Sequence, residues 1–282
     1  MTILVGVYCQ DGVIIGADGS ATFAAGQMRT IEQPTQKIEI IDGTCILAGS
    51  GEIGLGQRMA PIVANNMRQG AFRKRTPTDM MTELSNLVLQ DFGRSFIKHE
   101  QVPFGALLAF FTGGQHHLCE FQLHNMRPEL KTDKLWYVSM GSGQLIVDPF
   151  LALIREIYWE EGLPKKQDAT FLVMWALEHV INCNAGGINE PIQIAELSTD
   201  DKGQPRARLL NHDELQEHRQ NVADAINHMR SYRAKLKGEP AATVAEVPKP
   251  AAPVAIPDVP KPEPAAANSA EPAAPKQPVS TK

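Results

Sequence analysis

Like elements come in runs along this chain, and that grouping limits its fold more than any other feature. Residues 2–8 (TILVGVY) are apolar and rich in β-branched types, Asp11-Gly12 follows, and residues 13–17 (VIIGA) continue. Two such runs around an Asp-Gly turn read as a hairpin. Residues 37–41 (KIEII) alternate, Asp42-Gly43 turns, and residues 44–48 (TCILA) complete a second hairpin. Periodicity then predicts a helix over 55–68, interrupted at Pro61, and another over 78–99 with Thr78 or Asp79 as N-cap. Strands are expected at 106–111, 117–123 and 135–139, helices at 144–161 and 168–181, and strands at 192–197 and 207–210. A polar helix over 212–237 closes the series. Runs of like elements, rather than strict strand–helix alternation, call for antiparallel sheets covered by helices. The expected fold is α+β, a four-layer αββα sandwich.

Composition changes abruptly at Gly238. Of the last 44 residues, 11 are Pro and 12 are Ala, and none is aromatic. Such a segment cannot bury enough apolar surface to offset its ordering entropy. The chain therefore divides into one folded domain, 2–237, and a Pro/Ala-rich tail, 238–282, expected to be disordered.

Charge and cysteine usage narrow the function. A net charge of −5 is wrong for a protein that neutralises phosphates, so no nucleic-acid partner is expected. The longest stretch without Asp, Glu, Lys or Arg, 101–119, contains Pro103, Gly105, Gly113 and Gly114. Its apolar part falls short of the ~20 residues a membrane span needs. The first basic residue is Arg29, so no secretory leader is expected and a cytoplasmic location is expected. Cys9, Cys45, Cys119 and Cys183 form no CxxC, so no metal site is expected and the thiols should be reduced.

Gly49-Ser50-Gly51-Glu52-Ile53-Gly54 matches GxGxxG between a strand and a helix. Its strand belongs to a hairpin rather than a parallel βαβ unit, and no strand ending in Asp or Glu appears about 20 residues on. No dinucleotide, and no other cofactor, is expected. This motif, like Gly141-Ser142-Gly143, reads more simply as a tight strand-to-helix turn.

The chemistry concentrates at the amino terminus. Thr2 follows Met1, and methionine aminopeptidases remove an initiator Met that precedes a small residue. Thr2 would then carry a free α-amine beside its own hydroxyl. An α-amine has an ordinary pKa near ~8 and can act as a general base at neutral pH. A threonine hydroxyl is a weak nucleophile until such a base stands next to it.

Thr2-Ile3-Leu4-Val5-Gly6-Val7, the segment 11–18 (DGVIIGAD), Ala21-Thr22, Lys37-Ile38 and Ala48-Gly49 together resemble the proteasome β-subunit family of N-terminal-nucleophile threonine peptidases. The bacterial HslV peptidase belongs with them. The likeness covers roughly residues 2 to 200 and is strongest in the first 55. Segments 30–37 and 54–59 are most similar to the bacterial branch called the beta-proteobacterial proteasome homologue.

The resemblance implies that Thr2 is the nucleophile and that Lys37 is the cation beside it. Asp18 would be the carboxylate that orients Lys37, and Gly49 would supply an oxyanion N–H. Ser142 would hold the terminal amine. Asn182 stands where the family has Asp, and Ala185 where it has Ser, so the amine network would lose a charge. Thr22 and Gly49 would bind an extended peptide through their backbone. Ala21, Leu47 and Gly51 would line an apolar, roomy specificity pocket, favouring cleavage after apolar residues.

By the same resemblance the substrates are unfolded proteins or peptides. The assembly is a homo-oligomeric double ring, a tetradecamer before a dodecamer, with a possible unfoldase partner. Two rivals are an amidohydrolase acting on a small substrate and a catalytically weak ring scaffold.

Overall fold

The computed structural model describes residues 1–25, 28–68, 75–159, 162–183 and 187–237. The expected disordered tail, 238–282, lies outside the described residues.

Two five-stranded sheets form the centre of the folded part. The first has the order β10-β1-β2-β11-β12, where β1 is Leu4–Cys9, β2 is Gly12–Ala17, β10 is Tyr137–Met140, β11 is Gln193–Thr199 and β12 is Pro205–Leu209. The second runs β5-β6-β7-β8-β9, with β5 Ile38–Ile41, β6 Cys45–Gly51, β7 Phe104–Thr112, β8 Gln115–Phe121 and β9 Pro128–Leu130. All these pairings are antiparallel, and the first hairpin sets Leu4 opposite Ala17.

The central strands are buried on both faces, which is why they read as continuous apolar runs. Leu4, Val13, Ile15, Ile46, Ala48 and Leu107 join in one cluster between the two sheets. Alternate residues point the other way. Val5, Val7 and Ile14 meet α3 (Gln144–Tyr158) and α4 (Lys166–Cys183). Leu47, Leu108 and Phe110 meet α1 (Ile53–Arg68) and α2 (Pro77–Gly93). The layers are therefore helix pair, sheet, sheet, helix pair, as expected from the grouping of elements. A final helix, α5 (His212–Leu236), packs on α4 and opens with a capping box between Asn211 and Glu214.

Several local expectations change. Residues 20–34 hold a hairpin that the sequence pattern does not announce, β3 (Ser20–Ala25) and β4 (Met28–Pro34). Its first strand is rich in Ser and Ala, which carry little strand propensity. α1 runs through Pro61 without interruption. The hydrogen bond a proline forfeits is offset there by burial of Leu55, Met59, Ala60 and Val63. α2 is capped by Thr76, not by Thr78 or Asp79, because Pro77 suits the first helical position. It stops at Gly93 rather than 99, and Phe96 beyond it takes a left-handed backbone (φ 62°). β9 is a further unexpected strand, only three residues long.

Candidate active site

Asp18 follows directly on β2 and is fully buried. Its Oδ1 accepts the Ile3 N–H at 2.9 Å, and its Oδ2 accepts the Ser20 N–H at 3.3 Å. The same carboxylate takes the Lys37 ammonium at 2.7 Å. Lys37 stands just before β5, in the other sheet, and its side chain is only 8% exposed. One buried carboxylate thus ties the start of the first strand to a cation from across the sandwich.

Lys37 Nζ lies 3.2 Å from Thr2 Oγ1. Burial pulls the lysine pKa below its ordinary value, and the charge and hydrogen bond of Asp18 only partly restore it. An ammonium held this way, beside a hydroxyl, favours the alkoxide that forms when the hydroxyl attacks.

Ser142 reaches Thr2 from the turn before α3. Its Oγ accepts the Thr2 N–H at 3.1 Å. Ser142 does not cap the helix that follows: the N-cap of α3 is Gly143, with no side-chain cap bond. Gly141 explains the glycine turn. Its φ is 109°, and a Cβ there would stand 2.3 Å from the Thr2 carbonyl oxygen. The turn is therefore shaped around Thr2.

Met1 is present in the chain, so the Thr2 nitrogen here is an amide and stands in for the α-amine. The Met1 carbonyl accepts from Thr2 Oγ1 at 2.8 Å and from Lys37 Nζ at 3.3 Å.

A cavity of about 790 Å³ opens beside Thr2 and Lys37. The four residues expected to bind substrate, Ala21, Thr22, Leu47 and Gly51, all line it, as does Gly49. The expected oxyanion donor has another partner in this structure: the Gly49 N–H points to the Lys37 carbonyl at 3.4 Å, a long and weak bond. A Cβ on residue 49 would meet the Phe104 ring at 2.8 Å, so glycine is needed for that ring to close the cavity wall.

Two expectations are corrected. Asn182 does not join the group. It is exposed in the last turn of α4, and among the described residues it has no hydrogen bond to Thr2 or Ser142. The residue of α4 that packs on the glycine turn is Val180, whose methyl lies 3.1 Å from where a Cβ on Gly143 would stand. Two residues further on, a helix has turned by about 200°, so Asn182 faces away. Ala185 lies outside the described residues. The pocket is also not wholly apolar, because Glu39 and Glu52 share its lining. Both were legible in principle. Glu39 is two residues after Lys37 on a strand, hence on the same face, and Glu52 follows Gly51 directly.

No cluster of three or more His, Cys, Asp or Glu suited to a metal occurs among the described residues. No helix among them is long and apolar enough to cross a membrane. The GxGxxG turn begins on a strand that is antiparallel to both neighbours, which removes the βαβ setting a dinucleotide requires.

A family model for proteasome subunits matches residues 2–189. The chain belongs to the proteasome subunit family. The match takes in Thr2, Asp18, Lys37 and Ser142, so these four residues lie within the part that carries family membership. A search for similar curated proteins gives no match. Membership brings with it a proteasome-type hydrolase fold.

Proposed function

We propose that this proteasome-family chain is an N-terminal threonine peptidase with Thr2 as its nucleophile. The observation that carries the reading is the relay Thr2 Oγ1–Lys37 Nζ–Asp18 Oδ1, at 3.2 and 2.7 Å.

Removal of Met1 frees the Thr2 α-amine next to Ser142 Oγ. The amine takes the proton of the Thr2 hydroxyl, and Oγ1 attacks the carbonyl of the scissile peptide bond. Lys37 stabilises the developing alkoxide, and Asp18 keeps Lys37 charged and oriented. The Gly49 N–H gives up its long contact with Lys37 to face the oxyanion. As the C–N bond breaks, the leaving amine takes the proton. The product is an ester on Thr2. Water, with the α-amine again as base, hydrolyses that ester and restores the hydroxyl. Asp18 and Ser142 act as positioning residues.

Family membership supports a ring assembly that faces these sites into an inner chamber. The reading takes two homomeric rings, seven subunits each before six, a cytoplasmic location, an unfoldase partner, and a place in the beta-proteobacterial branch. Unfolded proteins and peptides are the substrates.

The test is hydrolysis of fluorogenic peptides and of an unfolded protein by the purified full chain, with Thr2→Ala alongside. Turnover that Thr2→Ala abolishes supports the reading. Turnover that survives Thr2→Ala places the nucleophile elsewhere.

A further inference from the structure

The cavity beside Thr2 has a divided lining. Lys37 and Glu39 lie on one face of the β5 segment, and the β5–β6 register sets Glu39 directly opposite Leu47. Side chains so placed are neighbours, with Cβ atoms about 5 Å apart. Leu47 and Phe104 are nearly fully buried and form apolar wall. Glu39 and Glu52 are exposed at the same cavity. Among the described residues neither carboxylate has a hydrogen-bond or ion-pair partner. Apart from the terminal amine, the only cation among the described lining residues is Lys37, and Asp18 already balances it. Two unpaired carboxylates outweigh that one amine, so the lining is net negative, with its charge beside the apolar wall of Leu47 and Phe104.

We propose that this cavity selects a substrate residue with a long aliphatic stem and a cationic end, lysine or arginine, immediately before the cleaved bond. The proposal rests on the threonine-peptidase reading. The stem lies along Leu47 and Phe104, as such side chains do on apolar surface while keeping the charged head in water. The head reaches Glu39 and Glu52. A glutamate in the same place meets two like charges. A leucine fills the wall but leaves both carboxylates unmatched, so charge decides the choice.

The experiment compares kcat/KM for fluorogenic peptides that differ only in the residue before the reporter: Arg, Lys, Leu or Glu. It uses the full chain with its Thr2 labelling by a peptide epoxyketone measured in parallel, and the variants Glu39→Gln, Glu52→Gln and the double variant. Thermal unfolding checks that the variants fold. The expected result is at least a tenfold preference for Arg or Lys over Leu, collapsing to about threefold or less in the double variant. Thr2 labelling with a preference for Leu overturns the proposal and leaves the peptidase reading standing. A cationic preference that the double variant retains overturns the assignment to Glu39 and Glu52. No labelling and no hydrolysis of any peptide overturns the peptidase reading, and this proposal falls with it.

Discussion

The Lys37 ammonium stands between Asp18 Oδ1, at 2.7 Å, and Thr2 Oγ1, at 3.2 Å, so one cation from the second sheet bridges a buried carboxylate and a hydroxyl of the first. Everything else at the site serves that bridge. Two backbone N–H groups fix the carboxylate, and the turn at Gly141 leaves room for the Thr2 carbonyl.

Asp18→Asn should be costly to stability. It leaves a buried ammonium without its counter-charge, and breaking such a pair from one side costs about 3–5 kcal/mol. The loss should shrink as pH rises, because Lys37 then escapes the penalty by shedding its proton. Urea unfolding of wild type and variant at neutral and alkaline pH measures both effects.

The pH dependence of activity should carry the mark of Lys37. Its folded pKa lies below the ordinary lysine value of 10.5. As pH climbs through that lowered value the ammonium is lost, and turnover should fall earlier than an ordinary lysine allows. On the acid side turnover should rise as the Thr2 α-amine loses its proton, ordinarily near ~8. For stability the sign is opposite on the alkaline side. Between the lowered value and 10.5 the unfolded chain binds more protons at this residue, so its contribution to stability rises with pH. A kcat/KM profile and a parallel denaturation series separate the two trends.

Ser142→Ala should lower turnover about tenfold or more while changing stability by less than about 0.5 kcal/mol. A general-base step properly aligned is worth about 100-fold or more, and Ser142 only positions the base. The small stability effect follows because α3 is capped at Gly143. A loss near the ~1 kcal/mol of a true N-cap would contradict the assignment. Kinetics and thermal melts of the same preparation decide it.

Gly141→Ala should both destabilise the chain and impair the site. Its Cβ would stand 2.3 Å from the Thr2 carbonyl oxygen on a residue with φ 109°, and strain of this kind costs about 1–3 kcal/mol. Because Thr2 has to move, turnover should fall further than stability alone explains. Assays well below the melting temperature show whether the activity loss persists when the variant is fully folded.

The layered fold was legible in the sequence because the grouping of strands and helices survives errors of several residues at element ends. Thr2, Asp18, Lys37 and Ser142 were legible as a set, through spacing and family resemblance. The β3–β4 hairpin was not, since Ser and Ala signal a strand weakly and the pairing is made by backbone groups. For Asn182, alignment gives a position along α4 but not which way the helix faces. Glu39 belongs among the pocket residues because its strand phase matches that of Lys37; attention to apolar positions hides a charged one.

The most direct test is the intact mass of the purified chain before and after a peptide epoxyketone, a reagent that closes a ring on a hydroxyl and a free α-amine of one terminal residue. Loss of Met1 with a single adduct mapped to Thr2, absent in Thr2→Ala, is the predicted result. Retention of Met1 with no adduct would contradict Thr2 as the nucleophile.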